Sequence, residues 1–298
     1  MGKSKFLLVI SICLFISSIS FLLFPYVNNL LYQHSNESTI KQYDNNISSL
    51  SKNEKDKYLE EAKLYNESLT NSITDKDLVN LIESVNPEYE NILNFNNGQI
   101  CSIEIPKINV ALPVYHGTSE DVLEYGASHS ANTSFPIGGV NTHAVISAHT
   151  AYPAKIFFDN LTELTIGDKF YINILDEQLT YKVCDINIVE PDDTSLLQIE
   201  YQKDLITLVT CYPYAVNSHR LLVRGERTSN NNPTIPTENS TAYTNTDNNG
   251  INTELIQVIV LCIYSVGLVP VIILLIIFII KNIKNGDKNE KNTNKKSR

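Results

Sequence analysis

The sequence predicts an all-β domain, a barrel or a sandwich, set between a helical extension and two membrane segments. Three observations carry this. From Gln99 onward the apolar residues recur every second position. Short candidate strands then follow at close spacing, with few helical stretches between them. Two long stretches, 6–24 and 255–280, carry no charge.

The charge-free stretches are each long enough to cross a bilayer at about 1.5 Å per residue. The second contains Gly267 and Pro270, which membrane helices tolerate. The first ends in Ile19, Phe21, Leu22, Leu23 and Phe24. That ending offers no small-x-small cleavage site, so it reads as a retained anchor rather than a cleaved leader. Lys3 and Lys5 precede it, and the tail "KNIKNGDKNEKNTNKKSR" follows the second. Basic flanks on both segments place both termini in the cytoplasm and the intervening chain outside. The net charge of the chain is −10 although both flanks are basic. The outer portion is therefore strongly acidic, which argues against a nucleic-acid partner.

The expected layout is a membrane anchor over 1–26, a helical extension over 27–97, the β domain over 98–228, a spacer over 229–254, a membrane helix over 255–280 and a basic tail over 281–298. In the extension, Tyr43, Ile47 and Leu50, then Tyr58, Ala62, Tyr65 and Leu69, keep helical spacing. Ser51 with Glu54 reads as a capping box. Leu78, Leu81, Ile82 and Val85 form a further helical face, so 36–95 is predicted helical throughout, as a stalk or cover. In the β domain, Cys101, Ile103 and Ile105 alternate with polar residues, and Ile108, Val110, Leu112 and Val114 repeat the pattern. Further strands are predicted at 144–147, 170–174, 180–189, 205–211 and 220–224. The spacer, rich in Asn, Thr and Ser, lacks periodicity.

Five cysteines are present, of which Cys101, Cys184 and Cys211 lie outside the membrane segments. An odd number leaves at least one free thiol. Cys101 and Cys184 either pair or sit in strand interiors. No constellation with metal-ligand spacing occurs and no cofactor motif is present, so neither a metal nor a cofactor is expected.

The stretch "LITLVTCYPYAVNSHRLLVRGER" carries the chemistry. Cys211 closes an apolar run and Tyr-Pro-Tyr follows, so the thiol stands where a strand opens into a loop. A thiol needs an imidazole to accept or share its proton before it becomes an effective nucleophile. The histidines outside are His34, His116, His129, His143, His149 and His219. His149 ends the strand "THAVISAH" as Cys211 ends its own, whereas His143 begins that strand. Arg220 heads the next apolar run, and a loop between antiparallel strands would return it to Cys211. A guanidinium there stabilises negative charge on a carbonyl oxygen. Each residue alone has an ordinary structural reading: core thiol, surface histidine, salt-bridge arginine.

"TLVTCYPYAVNSHRLLVRGER" resembles the active-site signature of sortases, with "IEIPKINVALPVYHGTSEDVLEYGASH" and "TSFPIGGVNTHAVISAHT" similar to their earlier strands and histidine segment. The resemblance covers about residues 98–227. It implies an eight-stranded β-barrel, with Cys211 as nucleophile, His149 as acid/base and Arg220 as oxyanion and positioning residue. It further implies cleavage of an LPXTG-like signal on a pilin or surface protein and transfer to an amine. The two anchors and the helical extension look most like class C, where the acceptor is a pilin lysine. The alternatives are a cell-wall-anchoring sortase, whose acceptor is a peptidoglycan amine, and a non-enzymatic surface protein bearing "IPTEN". The sequence departs from the class C pattern in Ala148-His149-Thr150, in Tyr212 and in lacking an Asp-Pro-aromatic lid motif. The groove is accordingly expected to be open, or loosely covered near Asp75–Asp77. Leu196, Leu197 and Ile199 are candidates for lining an apolar groove.

Overall fold

In this computed structural model residues 3–71 and 89–228 are described. Compactness divides the described residues into two units, 3–31 and 32–71 with 89–228. The first unit forms the N-terminal part of helix α1 (Lys3–Ser49). Among the described residues, one helical segment, within Leu14–Ser49, is long and apolar enough to cross a membrane by length and composition. The second expected membrane helix and the spacer lie outside the described residues.

The second unit is an eight-stranded closed barrel with helices packed on it. Its strands are β1 (Gln99–Ile105), β2 (Val110–His116), β3 (Ala127–His129), β4 (Thr142–Ser147), β5 (Lys169–Ile174), β6 (Glu177–Val189), β7 (Asp204–Tyr212) and β8 (His219–Arg227). Around the barrel the order is β1-β2-β3-β4-β7-β8-β6-β5. Two neighbouring pairs, β2–β3 and β4–β7, are parallel, and the others are antiparallel. Closure leaves no free sheet edge. Ile103, Ile105, Val114, Ile146, Phe170, Ile172, Tyr181, Ile206, Leu208 and Val223 are among the buried residues of its core.

The alternation of β1 ends at Pro106, where a 3-10 turn over Pro106–Ile108 leads to Asn109 in the left-handed region. Ile108 is therefore a turn residue and not part of β2, as its spacing had suggested. The three-residue β3 is too short to show a period and went unpredicted.

The part of α1 from Tyr32 onward and α2 (Lys52–Asn71) contribute to the core. Tyr43, Ile47, Ala62 and Tyr65 are buried as the helical spacing requires. The Tyr43 hydroxyl donates to Ile100 O (2.9 Å). Buried Asn66 makes a reciprocal pair with Phe135: its Nδ2 donates to the Phe135 carbonyl (3.2 Å) and its Oδ1 accepts from the Phe135 N–H (2.7 Å). The capping box is present, with Glu54 accepting from Ser51 N–H (2.8 Å). The residues of 36–71 are thus fastened to the barrel, a role closer to buttress than to stalk. Helix does not continue through 89–95. A single 3-10 turn spans Tyr89–Asn91, and Leu93, Asn96 and Asn97 take positive φ. Asparagine tolerates that region and breaks helices. The face at Leu78–Val85 and the candidate cover at Asp75–Asp77 lie outside the described residues.

Two buried histidines tie loops to the barrel. His143 has Nδ1 2.7 Å from Gln198 O and Nε2 2.7 Å from the Thr207 hydroxyl. His129 has Nδ1 2.8 Å from the Tyr89 hydroxyl and Nε2 2.8 Å from Ser134 O. Burial pushes His143 down to about 4 and His129 down to about 3. Both are neutral when folded, while an unfolded chain protonates them below about 6.5. Stability from these groups is complete above pH 6.5 and is lost as pH falls towards 4. For His143 the loss is on the order of 3 kcal/mol. The urea midpoint is expected to drop between pH 7.5 and pH 4.5; an unchanged midpoint would contradict neutral, buried imidazoles.

Candidate active site

Three strand ends meet at one pole of the barrel. β4 and β7 run parallel, with Ser147 paired to Val209. The ladder continues past β4, because Ala148 N–H donates to Val209 O (3.1 Å). Continued two residues past β4, this register sets the His149 backbone at the level of Cys211. The Thr210 hydroxyl donates to Ala148 O (2.8 Å) and locks the two chains at that level. β7 and β8 are antiparallel, and Cys211 is the direct partner of Arg220. His149, two residues past the end of β4, and the strand partners Cys211 and Arg220 are thus set in one row across three adjacent chains. Neighbouring strands lie about 4.8 Å apart, and residues directly opposite each other share a face.

The β7–β8 connection explains why Arg220 returns to Cys211. Tyr212–Pro213 is cis, and Val216 N–H and Asn217 N–H both donate to Pro213 O (3.0 Å each). The Arg220 guanidinium donates to Asn217 O (3.3 Å) and His219 O (3.1 Å). Its hydrogen bonds are to carbonyls, so its positive charge is not neutralised by a bonded carboxylate. Cys211 is half-buried and free.

The imidazole of His149 is held by its own loop and by the short helix α3 (Glu120–Leu123). Its ring stacks on Tyr152 at 5.1 Å and meets the edge of Phe157 at 6.0 Å. Nε2 is buried without a hydrogen bond and lies 3.6 Å from the Glu120 carboxylate. Glu120, Tyr152 and Phe157 were not singled out from the sequence. Glu120 precedes His149 by 29 positions, and the parallel β2–β3 crossover brings α3 to this pole. The one available signal was Ser119 ahead of Glu120 and Asp121, which reads as a helix start.

Of the other histidines, His219 is also at this pole, as the strand partner of Tyr212 on the face opposite Cys211 and Arg220, and the rest stand elsewhere. His143 and His129 are spent on the core contacts above. His116 places Nδ1 and Nε2 each 2.8 Å from backbone oxygens of Gly98 and Ile92. His219 is near Glu190 (3.4 Å), and His34 is exposed on α1. Cys101 is buried in β1, and burial pushes its thiol up. Cys184 is exposed on β6, so the two do not pair. Among the described residues no cluster of His, Cys, Asp or Glu could hold a metal ion. Leu196, Leu197 and Ile199 are each half-buried. Arg224 bonds the Leu196 carbonyl and, at 2.7 Å, the Glu200 carboxylate. This fastens 196–200 outside β8.

A family model described as Sortase domain matches residues 103–228. Sortase C1 of GBS pilus island 1 superposes with a TM-score of 0.61 at 35% identity, covering 70% of this chain and 100% of that one. The chain belongs to the sortase family. A Clostridium perfringens sortase C, solved with the C-terminal cell wall sorting motif, gives a TM-score of 0.56 at 41% identity, covering 64% and 98%. Sortase D of Bacillus subtilis (strain 168) is 33% identical over 128 residues, 42% of this chain. That match spans 62% of the curated relative's length. The similar solved structures are class C sortases, and members of the family are cysteine transpeptidases.

Burial separates the thiols. A bulky maleimide is expected to label Cys211 and Cys184 in the folded protein and to reach Cys101 only in denaturant. Peptide mapping checks this, and labelling of Cys101 under native conditions would contradict a closed barrel.

Proposed function

We propose that the protein is a membrane-anchored extracellular cysteine transpeptidase that joins sorting-signal-bearing pilins. The observation that carries this is the pairing of Cys211 with Arg220 beside the end of β4, from which His149 follows. The C. perfringens relative solved with a sorting motif supports a peptide of that kind as substrate. The GBS pilus-island relative supports a pilin.

In the proposed reaction His149 accepts the Cys211 proton, and the thiolate attacks the Thr carbonyl of an LPXTG-like signal. Arg220 donates to the oxygen as it gains negative charge, where a preorganised cation stabilises the transition state. The imidazolium gives its proton to the departing Gly nitrogen, leaving a Thr thioester on Cys211. A lysine amine of the next pilin then attacks that carbonyl. The C–N bond forms, the C–S bond breaks, and the amine's surplus proton passes to His149 and back to the thiolate. The Glu120 carboxylate, 3.6 Å from Nε2, is the acidic side chain set against the ring in both halves.

The test is incubation with a labelled LPXTG peptide and either a lysine-bearing pilin domain or a peptidoglycan amine. A peptide–pilin amide is expected. Transfer to the peptidoglycan amine alone would overturn the pilin acceptor and leave the thiol chemistry standing. Cys211→Ala is expected to abolish the thioester, and acylation of Cys101 or Cys184 in that variant would refute the nucleophile. His149→Ala should lower turnover by at least ~100-fold. Arg220→Lys keeps charge but loses the planar fork, and should remain severely impaired. Glu120→Gln should cost about two- to fivefold, the scale of an exposed ion pair.

A further inference from the structure

Lys155 lies six residues after His149, in the loop that follows β4. Its ammonium is 5.2 Å from the ring centre of Tyr32, 5.3 Å from that of Tyr152 and 6.0 Å from that of Tyr125. It donates one hydrogen bond, to the Glu124 backbone oxygen (2.7 Å). The Glu124 carboxylate is engaged by the Tyr152 hydroxyl. The ammonium is therefore held by three ring faces and a carbonyl. Ring quadrupoles attract a cation at this range, and the ring bodies cover a slim aliphatic stem. Desolvation lowers Lys155 from its ordinary value.

This cage adjoins the site. Tyr152 touches both the Lys155 ammonium and the His149 imidazole. Glu120, Asp121 and Glu124 lie on or next to α3, so this side of the pole is acidic and attracts cations. Tyr125 is 65% exposed, which leaves the cage open to solvent on that side.

We propose that this cage is the subsite for the acceptor's lysine ammonium, and that Lys155 fills it in the resting protein as an internal stand-in. The proposal rests on the transpeptidase reading above. An incoming lysine replaces Lys155 with the same chemistry and breaks no carboxylate ion pair. The ring faces hold the cation and release the neutral amine. The ammonium gives its first proton to solvent at the open side of the cage, which frees the neutral amine to reach the Cys211 thioester beside a still-neutral His149. Attack forms the amide C–N bond and expels the Cys211 thiolate. The remaining surplus proton passes through His149 to the thiolate.

The test uses full-length protein in detergent micelles at saturating sorting peptide, with the Cys211 thioester followed by intact mass. Acceptor KM is measured for a blocked lysine peptide and for two short amines, hydroxylamine and glycine amide, that cannot span the cage. Lys155→Ala and Lys155→Met are each expected to lower the lysine KM about threefold, because an intramolecular competitor is removed. The short amines are expected to keep their KM. Adding Tyr125→Ala to Lys155→Ala should reverse the gain, and adding Tyr125→Phe should retain it. A lysine KM that is unchanged or higher in both Lys155 variants, or an equal shift for the short amines, would overturn the proposal while leaving the transpeptidase reading intact. Failure of the thioester to form in the wild-type protein would instead overturn that reading, and this proposal with it.

Discussion

The parallel pairing of β4 with β7 is the constraint on which the site depends. Parallel neighbours cannot be joined by a tight turn, so β4 and β7 are brought together by the long connection that runs through β5 and β6. Their register carries His149 to the level of Cys211, and the Thr210–Ala148 hydrogen bond fixes the chains there. A one-residue slip would turn every side chain of a strand to the opposite face. The imidazole and the thiol would then face opposite sides of the wall. Arg220 needs less, because a hairpin loop alone returns it to its partner.

Around that row, rigidity comes from groups that do no chemistry. Asn66 and Tyr43 fasten the helices to the barrel through buried backbone bonds, which are costly to leave unmade. His143 and Arg224 fasten the segment between β6 and β7 from outside. Tyr152 and Phe157 hold the His149 ring from two sides. The pole is thus built from elements that could not hold this geometry separately.

The sequence exposes faces more readily than neighbours. Alternation revealed most strands, and helical spacing identified Tyr43, Ile47, Ala62 and Tyr65 as a buried face, because both signals are local. β3 has three residues and no period, so only its pairing with β2 and β4 reveals it. Cys211 and Arg220 were legible because one hairpin contains both. His149 was legible because it closes the apolar run "THAVISAH", although β4 itself stops at Ser147. Glu120 was not, since its approach to His149 depends on a crossover that hydrophobic pattern does not encode. The helical expectation failed at 89–95, where Leu93, Asn96 and Asn97 take left-handed backbone and apolar spacing persists without a helix.

A His149→Cys variant tests directly whether positions 149 and 211 stand side by side on parallel chains. Parallel neighbours at about 4.8 Å fall within the Cα separation a disulfide accepts. Mild oxidation is expected to link position 149 to Cys211, seen as one crosslinked peptide in non-reducing digests and loss of Cys211 alkylation. Retained alkylation at both positions, or linkage of either to Cys101 or Cys184, would contradict the register on which the site is built.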